Sequence, residues 1–206
     1  MDYSFTKILA VLILIYIIYN IIYTYSEIRY IKSTIDNKIY MIRRGNDKSE
    51  SFLLDSANTL AEINRRIMLL INHLELNYSN DTFKNYFIHK LRQNYNSYMI
   101  SEAAIDTRFT TYTVDKSDMH ICLRTRDQYE NIYDINTLIY VVCHELSHLC
   151  NYTPDGIPIN GHENHFKMIF KFIIQEAIKI GIYKHVDYTL YPQEYCSIFI
   201  NTNIVT

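Results

Sequence analysis

A chain of 206 residues is long enough for one domain of ordinary size with a substantial core. Its 22 acidic and 20 basic residues nearly cancel, leaving no basic excess for a nucleic-acid surface and no charge run for a polyanionic partner. Four glycines and three prolines argue against a turn-rich β-sandwich and for long regular elements.

The first element is apolar. From Ile8 to Tyr25 no residue is charged, and tyrosines gather toward the C-terminal end, where amphipathic rings suit a membrane interface. A cleaved signal peptide would have a shorter apolar run followed by small residues, but this one ends in NIIYTYSE, so residues 1–30 read as an uncleaved single-pass anchor. Only Lys7 precedes the span, while Arg29, Lys32, Lys38, Arg43 and Arg44 follow it, which places the bulk of the chain on the cytosolic side. Sequons at Asn77, Asn80 and Asn151 would suit the opposite side, but they arise easily in an Asn-rich chain and weigh less.

Residues 31–50 read as a linker, with a turn at Gly45-Asn46-Asp47, ahead of a soluble domain over 51–206. Leu53, Ala57, Leu60, Ile63, Ile67, Leu70 and Leu74 recur at steps of three and four, predicting an amphipathic helix. A second helix is expected from Thr82 as N-cap, with Phe83, Phe87, Leu91 and Tyr95 on one side. RFTTYTV and MHICLRT, separated by DKSD, read as paired strands of a small sheet over about 107–126, with His120 packed or at the surface. Cys122, Cys143, Cys150 and Cys196 lack CxxC spacing and read as reduced, mostly buried thiols. The domain is thus α+β, helical over 51–100, then the sheet, then two further helices over 136–150 and 161–180.

The first of these carries VVCHELSHLC, capped by Asp134 or Asn136. His144 and His148 are one helical turn apart and project from one face, so both imidazoles can reach one metal ion. Glu145 leans toward the same opening and can take a proton from zinc-activated water. The other residues from Val141 to Leu149 are uncharged and mostly apolar, so three ionisable groups among them would be costly to bury without a metal.

A catalytic zinc needs three protein ligands and an open position. The third is expected in NGHENHF, on a helix capped by Asn160 and ended by Gly181, whose core stripe is Phe166, Ile169, Phe170, Ile173 and Ala177. His162 lies one turn before Phe166 and is favoured; His165, Glu163 and Glu176 are the alternatives.

The pair HELSH and GHENHF resembles the WLM and SprT-like zinc metallopeptidases, which are zincins and follow HExxH with a histidine in a pattern close to G-H-x-x-x-F. Gly161, His162 and Phe166 fill those places, and the likeness covers residues 136–181, under a quarter of the chain. The metzincin pattern is not met, and a thermolysin-like glutamate ligand would have to be Glu176. The resemblance implies a zincin-like domain holding Zn2+ through His144, His148 and His162, with Glu145 as general base for hydrolysis of a protein or peptide substrate. It also implies that HICLRT is the edge strand on which an extended peptide pairs. The relatives' link to proteins attached to DNA does not carry over to a tethered chain without basic excess. Such a tether suits a viral protein at a host or virion membrane. Tyr188, Tyr191, Tyr195 and His185 in the tail could donate to an oxyanion, but none is singled out. The competing readings are a non-catalytic tethered interaction protein with a structural metal, or a soluble-type protease of DNA–protein crosslinks or quality control.

Overall fold

The computed structural model describes residues 3–45, 49–104 and 110–205. Helix α1 spans Tyr3–Glu27, and its stretch Phe5–Ile22 has a mean hydropathy of 2.3 with no residue buried against the rest of the protein. By length and composition it can cross a membrane. Asn20 Nδ2 donates to the Tyr16 carbonyl at 2.8 Å, so this amide is bonded within the helix itself.

No linker follows α1. Strand β1 (Ile28–Lys32) starts at the next residue and pairs antiparallel with β2 (Ile39–Arg43), where the sequence predicts a linker over 31–50. Asn37, at φ 60°, and Asp36, which accepts from the Lys38 amide at 3.1 Å, shape the connecting turn. Asn46 and Asp47 of the expected turn lie outside the described residues; Gly45 is described at φ 70°. A Cβ on Gly45 would come within 2.6 Å of a Glu130 carboxylate oxygen and 2.7 Å of Arg124 Nη1, so the position needs glycine on two counts. These neighbours belong to a buried ion network. Arg124 reaches Glu102 at 2.5 and 2.7 Å, and Arg43 reaches Glu130 at 3.0 Å, joining the hairpin to the sheet.

Helix α2 (Glu50–Tyr78) is the backbone of the core, and all seven residues of its predicted stripe are buried. Helix α3 (Thr82–Asn94) starts as expected, but Asp81 is its cap, accepting from the Phe83 and Lys84 amides at 3.1 and 2.9 Å. A carboxylate there also complements the helix dipole, an advantage that threonine lacks. Phe87 and Leu91 face the core, whereas Phe83 is 56 % exposed.

The sheet has the order β3 (Ile100–Glu102), β5 (Asp118–Ile121), β4 (Tyr112–Val114), parallel between β3 and β5 and antiparallel between β5 and β4. The strand implied as the edge, HICLRT, is therefore central at its start, and among the described residues β3 and β4 are the two edges. The reason is β3, a three-residue strand too short to leave a periodic signal, which pairs on the other side of β5.

Helix α4 (Ile135–Cys150) lies between α3 and α5 (Asn164–Lys179), with α2 also against it. Asp134 caps it through the Asn136 and Thr137 amides at 2.9 and 3.2 Å, and Asn136 instead exchanges hydrogen bonds with the backbone of Lys184 at 2.7 and 2.8 Å. Leu138, Ile139, Val142, Cys143, Leu146 and Leu149 bury its core face. Each such aliphatic side chain contributes about 1.5–3 kcal/mol, enough to hold a helix that is marginal alone.

The C-terminal hairpin, β6 (Gln193–Tyr195) with β7 (Ile198–Ile200), is tied down by a Cys122–Cys196 disulfide with Cα atoms 6.5 Å apart. This corrects the expectation of four reduced thiols: only Cys143 and Cys150 are free and buried. Partners 74 positions apart leave no spacing signature, because the fold, not the local sequence, brings them together.

Candidate metal centre

Three imidazoles converge in a cleft of about 900 Å³. Nε2 of His144 is 3.2 Å from that of His148 and 2.9 Å from that of His162, and His148 to His162 is 3.1 Å. Four ligands placed tetrahedrally at about 2.0–2.1 Å from zinc stand roughly 3.3 Å apart, so the triangle fits such an ion with little adjustment. Burial, with His148 and His162 adding to it, holds the His144 imidazole down at about 3, and burial likewise holds His148 at about 4. Both are therefore neutral with lone pairs available, the state a ligand requires.

Phe166 backs all three rings, with centroids 4.9, 4.3 and 4.7 Å from those of His144, His148 and His162. An apolar layer of this kind keeps water from behind the three imidazoles.

His162 arrives by a route different from the one expected. Helix α5 begins at Asn164, with Glu163 in the cap position and no side-chain cap bond, so His162 precedes the helix and Asn160 does not cap it. The loop from 151 to 163 carries it. Asn151 is fully buried; its Nδ2 donates to the Ile159 carbonyl at 3.2 Å and its Oδ1 meets His165 Nδ1 at 2.7 Å. Its own carbonyl accepts from the Ile159 amide at 2.9 Å. The chain thus folds back on itself, and Gly161 at φ 93° turns it toward the cluster. No atom would meet a Cβ at Gly161, so its glycine answers to backbone conformation alone.

The alternative ligands point elsewhere. His165 is held by Asn151, and Glu163 is exposed. Glu176 accepts from His73, Tyr78 and Lys179 at 2.6, 2.7 and 3.3 Å, on the side of α5 that meets α2. His120 stacks on Tyr112 and pairs with Ser101 Oγ at 2.8 Å, in the sheet.

Glu145 is 6 % exposed and lines the cleft. Burial pushes its carboxyl up to about 7, opposed by a hydrogen bond from Thr113 Oγ1 to Oε2 at 2.9 Å. A carboxyl tuned near neutrality is suited to accept and return a proton.

The chain is 35 % identical over 183 residues to "Uncharacterized protein R325" of Acanthamoeba polyphaga mimivirus, a match spanning 88 % of this chain and 87 % of that one. The chain belongs to the family of that mimivirus protein. Shorter stretches, of 90 residues and 43 % of this chain, are similar to "Uncharacterized protein 136R" of Invertebrate iridescent virus 6, 29 % identical, and to "Uncharacterized protein 042R" of Invertebrate iridescent virus 3, 36 % identical. They cover 47 % and 50 % of those two proteins. No family model matches the chain, and no solved structure does.

Several residues that build the cleft in this member of the family are not evident from its motifs. Lys116 Nζ donates to the carbonyls of His148 and Asn151, placing a cation at the C-terminus of α4. Tyr195 lines the opposite wall, but its buried hydroxyl is already bound to Thr111 and to the Cys122 carbonyl at 2.8 Å. Tyr188 is buried against Tyr140, Tyr191 is 71 % exposed, and His185 meets Asn203 at 3.4 Å, so none of the four tail candidates offers a free donor in the cleft.

Proposed function

We propose that this chain is a membrane-anchored zinc endopeptidase of the zincin type, similar to the WLM and SprT-like metallopeptidases. The observation that carries the reading is the convergence of three imidazole Nε2 atoms within 2.9–3.2 Å of one another beside the buried carboxylate of Glu145. When bound, zinc would polarise a scissile carbonyl and lower the pKa of water to about 7. His144, His148 and His162 would hold it. Glu145 would take the proton released on attack and pass it to the leaving amine. The apolar layer around Phe166 would keep water from behind the three imidazoles. Strand β4, at the sheet edge along this cleft, would pair with an extended substrate.

A structural metal would want a fourth protein ligand. Among the described residues the cluster has three, and His165, Cys143 and Cys150 are turned away from it. The test is metal content and cleavage of an unstructured protein substrate by the full-length chain. About one zinc per chain, kept in Glu145→Gln without cleavage, is the expected result; cleavage by that variant would reject the assignment of the base.

In this reading α1 anchors the domain, and the basic residues after it place the domain in the cytosol. The Cys122–Cys196 disulfide favours the opposite, oxidising side as a second reading. Of the three sequons, Asn151 is fully buried, while Asn77 and Asn80 are exposed at the end of α2. Protease protection of sealed membranes, with a glycosidase shift at Asn77 or Asn80, distinguishes the two: digestion from the cytosolic face without a shift supports the first.

A further inference from the structure

We infer that Thr113 is a positioning residue that holds the Glu145 carboxylate in register with the metal site, an inference that rests on the hydrolase reading above. Thr113 sits on β4 opposite Met119 of β5. Alternation along the strand sends Tyr112 to the face where it stacks on His120, at 4.9 Å between centroids, and Thr113 to the other face. On that face Met119 is fully buried, and the Thr113 hydroxyl meets Glu145 Oε2 at 2.9 Å. An ionised carboxylate only accepts, so the threonine donates.

Among the described residues this is the one hydrogen bond that the Glu145 carboxylate receives, although the residue is 6 % exposed. A buried carboxylate with a single fixed oxygen has its remaining freedom in rotation about that bond, and its Oε1 is left for the cleft. Threonine suits the task better than serine, because its branched Cβ restricts χ1 on a strand and keeps the hydroxyl aimed. Valine would fill the same volume and leave Oε2 unpaired. The contact also joins the base to the strand at the cleft edge, so an occupant pairing with β4 would press on the residue that aims Glu145.

The test compares wild type, Thr113→Val, Thr113→Ser and Glu145→Gln, each loaded with Co(II) as a coloured substitute for zinc. Metal per chain, the visible cobalt bands, and kcat and KM on an unstructured protein are read for each. Thr113→Val is expected to keep one cobalt, to shift the bands in the direction that Glu145→Gln shifts them, and to lose about ten- to a hundredfold in kcat at unchanged KM. Thr113→Ser is expected to restore most of both signals. Wild-type bands and wild-type kcat in Thr113→Val would overturn the inference. So would loss of metal in Thr113→Val that serine fails to restore, which would make Thr113 a folding residue. If the wild type binds cobalt but cleaves nothing, the hydrolase reading fails by itself; shifted bands in Thr113→Val then still uphold the hold on Glu145, and unshifted bands reject it. A wild type that takes no cobalt rejects both.

Discussion

Helix α4 brings His144, Glu145 and His148 together by helical spacing alone, whereas His162, Thr113 and the hairpin wall reach the same cleft from segments that no local pattern connects. The helix needs a cap at Asp134 and an apolar face to pack, and both are written into the consecutive residues 134–150. The surrounding parts are held by contacts between segments distant in sequence, among them Asn151 to Ile159 for the loop, a threonine hydroxyl to Glu145 for the strand and a disulfide for the hairpin. In the proposed reading the helix therefore supplies the reacting groups by local spacing, and the surroundings supply their arrangement through long-range contacts.

The largest effect should come from within the helix. Glu145→Gln keeps the packing and both neighbouring histidines, so metal content should stay at one per chain. Cleavage should fall by about 10²- to 10⁴-fold, the usual contribution of a positioned base. Loss of metal together with activity would show that the helix itself had moved, and would break the contrast.

Next is the hairpin. Replacing Cys122 and Cys196 together by alanine opens a loop closed over 74 positions. In the chain-entropy treatment this costs about 4 kcal/mol of stability, readable as a lower denaturant midpoint. Metal content should not change, because no ligand comes from the hairpin. A variant that binds no metal although folded would mean that the wall shapes the cluster as well as the cleft.

His162→Ala removes the imidazole that the loop delivers to the proposed metal site. Metal affinity should fall by at least about a hundredfold, since even residues that only orient ligands are worth 10- to 100-fold. Asn151→Ala should weaken binding less, by about tenfold on the same scale, through a loop that no longer folds back at Ile159. Equal effects of the two, measured by competition with a zinc chelator, would make the loop as decisive as its histidine.

The same contrast explains what could be read in advance. The α2 stripe was legible because burial over several turns imposes a period, and the α4 cap could be narrowed to Asp134 or Asn136 because a cap imposes a residue type. His162 could be named from its distance to Phe166, but the helix expected to carry it starts two residues later, at Asn164. The stripe ends at Phe166, so nothing in the period fixes where the first turn begins. The β1–β2 hairpin was hidden by a charged, turn-like composition, since Arg43 is buried through ion pairs rather than by being apolar. Thr113 left no signal at all: a threonine in a strand is ordinary, and its partner lies 32 residues away.

The smallest expected effect is a pH dependence in the sheet that carries Thr113. Burial pushes the pKa of His120 down, against the pull of Asp118 on the same strand; Tyr112 stacks on its ring and Ser101 bonds its Nδ1. A histidine whose folded pKa lies below its unfolded value, about 6.5, binds more protons unfolded than folded. Its contribution to stability is therefore complete above that value and is lost as pH falls below it. The unfolding midpoint of the metal-free protein should drop between pH 7 and pH 5, and part of that drop should vanish in His120→Gln. Because the ring is only partly buried, the effect should be smaller than that of opening the disulfide. An identical pH profile in His120→Gln would place the acid sensitivity in α4 itself, where His144 and His148 are also held neutral, and would move the fragile part of the site from its surroundings into the helix.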